Sequence, residues 1–183
     1  MKRLMIYWGI FFFCMVSLQA QQKESSFVGT TAPDFTLKDL KGNTVEMASY
    51  KGSYLVLHIA TTWCPFCNAE APYLVELANE YASKNVKVLI IDVKESQALV
   101  QEKLQDRFDF PFPVLLDEDG AVAASFAPEG VLPDLARDEV MLASNLLIDP
   151  EGNIQFMSLL DSKNFDAKLL ALKSRLDELL SKH

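Results

Sequence analysis

Cysteine and histidine are scarce in this sequence, and a surplus of positive charge is missing. Three cysteines and two histidines stand among 183 residues, too few for a disulfide-stapled scaffold. A formal net charge of −8 excludes the basic footprint of a nucleic-acid binder, and no polybasic patch suggests a membrane surface. Repeats and low-complexity tracts are absent as well. What remains is a chain that is half hydrophobic. A single domain near this length buries roughly 70% of its unfolded surface. No apolar run reaches the ~20 residues of a membrane-spanning helix.

The longest apolar run, residues 4–18, follows Lys2 and Arg3 and precedes Ala20 and the polar stretch 21–25. This pattern reads as a secretory signal peptide over 1–20, with 21–26 a short polar linker and 27–183 the functional domain. Leu18, at the −3 position, is bulkier than usual there. An uncleaved anchor is the alternative, and lipidation at Cys14 is disfavoured by the three phenylalanines before it. Each version exports the domain, most simply to a periplasm. Cleavage removes two positive charges, taking the net charge from −8 to −10.

Turn residues punctuate the rest. A hairpin is expected from 35–37 and 44–47 around Gly42-Asn43, and a buried strand over 54–60. A helix is expected from Cys64-Pro65 to Lys84, with Pro65 suited to its first turn, Pro72 kinking it and Asn85 stopping it. Next come a strand over 86–92, a helix over 97–108 and a short strand at 114–116. A turn at 117–120 and a helix at 121–126 follow. Residues 127–139 read as a charged loop, either a lid or plain surface. A hairpin of 146–148 with 154–160 precedes a final amphipathic helix carrying Phe165, Leu169, Leu172, Leu176 and Leu179 as core residues. The order is hairpin, βαβα, ββα. It implies an α/β fold with a mixed central sheet flanked by helices and an N-terminal hairpin extension.

Cys64 and Cys67 are the two cysteines left after the leader. They close too short a loop to stabilise a domain. Cys64 falls where a strand gives way to a helix, and unpaired N–H groups there favour thiolate over thiol. Cys67, three residues on, shares its face and can attack a mixed disulfide formed on Cys64. Zinc is the rival reading of the spacing, but a closed site wants four ligands. Only His58 and the terminal His183 could complete one, so no metal and no cofactor is expected.

Several motifs stand around this pair: Ala32-Pro33-Asp34-Phe35, Trp63-Cys64-Pro65-Phe66-Cys67, Glu70-Ala71-Pro72 and Leu146-Leu147-Ile148-Asp149-Pro150-Glu151-Gly152. With them the chain from Phe27 onward resembles the thioredoxin fold. It is most similar to the extracytoplasmic TlpA/ResA-like thiol-disulfide oxidoreductases, relatives of the AhpC/TSA redoxins. The resemblance implies Cys64 as nucleophile, Cys67 as resolving thiol, Trp63 as a shield beside them and Glu70 as the group tuning their proton affinities. It implies a substrate-docking surface of Pro65, Phe66, Leu142 and Ala143. Disulfide-bearing or dithiol proteins are the implied partners, with a DsbD-like membrane electron donor and an apocytochrome c substrate.

Two positions depart from the pattern. Ala143 stands where the family places a cis-proline; a non-proline cis bond costs ~2.5–4 kcal/mol, so a trans peptide and an altered docking surface are expected. His58 stands where thioredoxins carry a buried acid, and is either a proton relay or a core histidine. Two other functions stay open. A peroxiredoxin-like peroxidase is suggested by Thr61, although that family has a proline at Leu57 and an arginine near Ala143. A redox-inactive binding module of the same fold is the other. Direction, reducing or oxidising, depends on a potential that Pro65-Phe66 does not fix.

Overall fold

The computed structural model describes residues 27–130, 134–159 and 162–182. The expected leader, its cleavage point and its anchored alternative lie outside them, as does His183. Among the described residues no helix is long and apolar enough to cross a membrane.

Seven strands form one mixed sheet: β1 (Thr36–Asp39), β2 (Thr44–Glu46), β3 (Tyr54–Ala60), β4 (Val86–Val93), β5 (Val114–Asp117), β6 (Ser144–Ile148) and β7 (Ile154–Ser158), in the order β2-β1-β5-β4-β3-β6-β7. β3, β4 and β5 run parallel at the centre. β6 and β7 add antiparallel strands on one side, and the β1–β2 hairpin joins the other through β5. β3 is buried along its whole length, as a strand with both faces covered must be. Its side chains alternate. Val56 and Ala60 enter the layer beneath α1 (Pro65–Glu80), with Leu74, Leu77, Leu172 and Leu176. Leu55, Leu57 and Ile59 enter the opposite layer, with Phe126, Met141 and Leu146. His58 and its β6 partner Asn145 are in register, so both lie on the α1 side.

α1 starts as expected, with Cys64 as its cap and Pro65 in its first turn. It ends at Glu80, and a separate 3₁₀ turn, Ala82–Lys84, carries the chain to Asn85, whose left-handed φ of 55° makes the stop. Pro72 lies inside the continuous helix on its exposed side. The second helix, α2, is less regular than expected. Gln97–Val100 and Asp106–Phe108 are α-helical, but Gln101–Gln105 between them is a π-helical turn.

Two expectations need correction. The segment 127–139 is not loop throughout: after the short helix α3 (Ala121–Ser125) it ends in a helix, α4 (Arg137–Val140). α4 is tied down, because Asp138 pairs with Lys94 and Arg137 donates to the carbonyls of Ala124 and Ala127. Gly120 makes room for it: a Cβ there would lie 2.8 Å from Asp138 Oδ2. Second, the final helix α5 (Leu170–Leu180) begins only after Leu169, which is left-handed at φ 57°. Leu169, Leu172 and Leu176 are core as expected. Phe165 precedes the helix, and its ring meets Phe66 edge-on at 4.9 Å between centroids.

Candidate active site

β3 delivers the chain to the top of the sheet, and the turn after Ala60 seats Cys64 at the mouth of α1. Cys64 takes the capping position with its sulfur, accepting the Cys67 N–H at 3.2 Å. Both cysteines are free thiols here. The Cys67 thiol first, then the backbone N–H groups of Cys67 and Phe66, hold the Cys64 thiol down to about 6 against the opposing effect of burial. Burial first, then the neighbouring Cys64 sulfur, pushes Cys67 far up. One sulfur is therefore an anion at neutral pH while the other keeps its proton, the division of labour that exchange chemistry needs. Cys64 is only 3% exposed, more covered than its place at a helix end implies.

Glu70 is buried at 3% exposure, not the solvent-facing residue its helical position would allow. Asn145 Nδ2 donates to Glu70 Oε1 at 2.8 Å, and Asn145 Oδ1 lies 2.9 Å from His58 Nδ1. Because the Asn145 amide nitrogen serves Glu70, its oxygen faces the imidazole and Nδ1 is the donor. Burial pulls His58 down to about 4, so the ring is neutral. Burial raises Glu70 to about 8, opposed by the Asn145 N–H and reinforced by the Cys64 charge. His58 Nε2 and Glu70 Oε2 have no hydrogen-bond partner, and Glu70 Oε2 is 3.6 Å from His58 Nδ1. A carboxyl that keeps its proton at neutral pH thus lies within electrostatic reach of both sulfurs.

The remaining expected residues divide. Phe66 and Ala143 join the two cysteines in the α1-side layer, and Pro65 is exposed beside them. Trp63 is 67% exposed, so its ring stands out into solvent. Leu142 is in the opposite layer, 8% exposed among Val140, Met141 and Leu146, and the structure does not bring it to the dithiol. Ala143 adopts φ 56°, and no cis peptide occurs among the described residues.

Sequence reading missed Asn145, Asp92 and Glu95. Asn145 is set opposite His58 by strand register, which no local pattern encodes. Asp92 could have drawn notice as a charge ending an apolar strand. Glu95 reaches the turn before Cys64, accepting from Thr62 N–H and from Thr62 Oγ1 at 2.6 Å. Among the described residues, no three histidine, cysteine or acidic side chains gather where a metal ion could be held.

Comparison with known proteins agrees with this chemistry. The AhpC/TSA family matches residues 28–157. The chain is 30% identical over 151 residues to the thiol-disulfide oxidoreductase ResA of Bacillus thuringiensis subsp. konkukian, covering 82% of this chain and 80% of that one. It is 34% identical over 134 residues to ResA of Geobacillus kaustophilus, covering 73% and 70%. Among solved structures, a secreted Mycobacterium tuberculosis disulfide oxidoreductase homologous to Escherichia coli DsbE superposes with a TM-score of 0.61 at 24% identity, over 79% of this chain and 95% of that one. At that identity the superposition speaks for the thioredoxin-like fold alone. The family match, the ResA likeness and the capped Cys64 together make this chain a member of the AhpC/TSA family, a TlpA/ResA-like thiol-disulfide oxidoreductase.

Proposed function

We propose that this oxidoreductase works outside the cytoplasm, reducing protein disulfides with the Cys64–Cys67 dithiol. The observation that carries this reading is the Cys64 sulfur capping α1, where it accepts the Cys67 N–H at 3.2 Å and where its partner thiol and backbone N–H groups lower its proton affinity. A thiolate held in this way beside a thiol that keeps its proton is the arrangement with which a dithiol attacks and reduces a disulfide. The leader-like first twenty residues support export.

In the first step the Cys64 thiolate attacks one sulfur of a substrate disulfide. The substrate S–S bond breaks as a Cys64–substrate disulfide forms, and the departing sulfur takes a proton, for which protonated Glu70 is the donor. Consumption of the Cys64 charge removes one of the influences that raise Glu70, so the carboxylate becomes a usable base. In the second step Glu70 takes the Cys67 proton and Cys67 sulfur attacks Cys64 sulfur. The Cys64–substrate bond breaks and the released sulfur takes the proton from Glu70, so the substrate leaves as a dithiol while Cys64–Cys67 becomes the disulfide, two electrons poorer. A dithiol donor, in this reading a DsbD-like membrane protein, restores it; apocytochrome c is the substrate to try first.

A peroxidase would need a cation to polarise the peroxide. The groups that stabilise the Cys64 thiolate are a thiol and backbone amides, with no lysine or arginine among them. Replacing Cys67 with alanine in the exported full-length protein tests exchange directly. Mixed disulfides on Cys64 should accumulate, and the wild-type couple should lie below about −220 mV. An empty trap rejects exchange; a potential well above that range reverses its direction.

A further inference from the structure

The end of β4 and the loop after it carry two acids that the exchange steps leave unused. Asp92 is opposite Ala60 in the β3–β4 register and 1% exposed, and neither of its carboxyl oxygens has a hydrogen-bond partner. Glu95 holds Thr62, two residues before Cys64, by both backbone N–H and Oγ1. The same turn is held from α1, where Asn68 Nδ2 donates to the carbonyls of Thr62 at 2.9 Å and Cys64 at 2.8 Å. Lys94, between the two acids, is left-handed at φ 60°. For a residue with a Cβ that conformation is strained and persists only where the surroundings impose it. Consecutive side chains are tied to different elements: Lys94 to Asp138 of α4, and Glu95 to the turn leading to Cys64.

We propose that Glu95 is a positioning residue for the nucleophile, its two-point hold on Thr62 fixing the turn that seats Cys64 Sγ against the α1 amides. The inference rests on the reading of Cys64 as nucleophile. Asp92 bears on the hold because it is close enough to feel the Glu95 charge. Burial first, then Glu95, keeps its carboxyl protonated up to about 9. Other charged groups in this region are engaged elsewhere: Lys94 with Asp138, Arg107 of α2 with Asn68, and Asp117 of β5 with the N–H groups of Val122 and Ala123. Above that pH a second negative charge appears beside Glu95 and weakens its grip on Thr62.

The test uses reduced full-length protein carrying Cys14→Ser and Trp8→Phe, which leaves Cys64, Cys67 and Trp63 as reporters. Thiolate ultraviolet absorbance is followed against pH. Glu95→Gln and Thr62→Val should each move the first thiolate transition up by about one pH unit, while Thr62→Ser, which keeps the hydroxyl, leaves it in place. Loss of the Glu95 charge alone would move that transition down, so the direction separates positioning from simple electrostatics. Trp63 fluorescence should show a step near pH 9 that Asp92→Asn abolishes. A transition that stays or falls in Glu95→Gln overturns the inference, and a step that survives Asp92→Asn removes Asp92 from it. A parent whose Cys64 titrates near an ordinary thiol's ~8.5 overturns the exchange reading instead.

Discussion

Glu70 and Cys67 share an interest in one proton. Glu70→Gln keeps the shape and the contact with Asn145 but cannot accept a proton, so the second exchange step loses its base. General-base contributions run to about 10²-fold or more. We expect the mixed disulfide to resolve at least that much more slowly, with its formation less affected; acid-quenched time courses separate the two. Asp92 makes a prediction about stability. Its folded value of about 9 lies above the 3.8 of a free aspartate, so its contribution is complete below the lower value and declines as pH rises toward the upper. Asp92→Asn cannot ionise. Between about pH 5 and about pH 8, wild type should lose roughly 4 kcal/mol relative to the variant in urea titrations, at about 1.4 kcal/mol per pH unit. Equal pH slopes for the two proteins would place the carboxyl in a wetter site than this one. At this scale the cysteines were legible because their chemistry is encoded in a four-residue spacing. Glu70 was legible as a neighbour on the helix, but its burial was not. Asn145 and Glu95 act on the site across 75 and 33 residues of chain, and only strand register and a loop's path bring them there.

The turn before β6 concentrates its strain in one residue. Ala143 is held at φ 56°, a conformation that glycine adopts freely and that proline, fixed near −65°, cannot adopt. Ala143→Gly should therefore stabilise by about 1 kcal/mol. Ala143→Pro, which restores the family residue, should destabilise by about 2 kcal/mol or more unless the segment from Met141 to Ser144 is rebuilt with it. Denaturant midpoints decide both. The sequence said that the family's proline was missing, but not that the backbone had taken a conformation closed to it. α2 shows a similar limit. Its apolar spacing predicts a helix, and a helix is there, but one extra residue in a turn hardly disturbs a 3.6-residue pattern, so the π turn left no mark. The strands were easier, since β3 and β4 are continuous runs of branched and aliphatic residues between plain turn signals.

Across the whole molecule, element order alone implied a mixed sheet between helices, because parallel strands require crossovers and hairpins do not. The attachment of the N-terminal hairpin to β5 could not be read, since nothing local distinguishes one sheet edge from the other. The same holds for α5, which is fastened to the end of α1 by Tyr81, whose hydroxyl donates to Asp177 at 2.8 Å, and by the Lys173–Glu80 pair. Tyr81→Phe removes the hydroxyl and leaves the ring in the core, and should cost about 1 kcal/mol with little change in Cys64 reactivity. A larger loss in reactivity than in stability would mean that this attachment also steadies the dithiol.

The edge-on meeting of Phe66 with Phe165 joins the middle of the cysteine motif to a stretch just upstream of the last helix. Whatever alters that distant stretch, whether a truncation, a protease or a bound partner, alters the footing of the aromatic residue between the two sulfurs. The footing of the dithiol's own segment thus depends on residues about a hundred positions away, without any change to the motif itself.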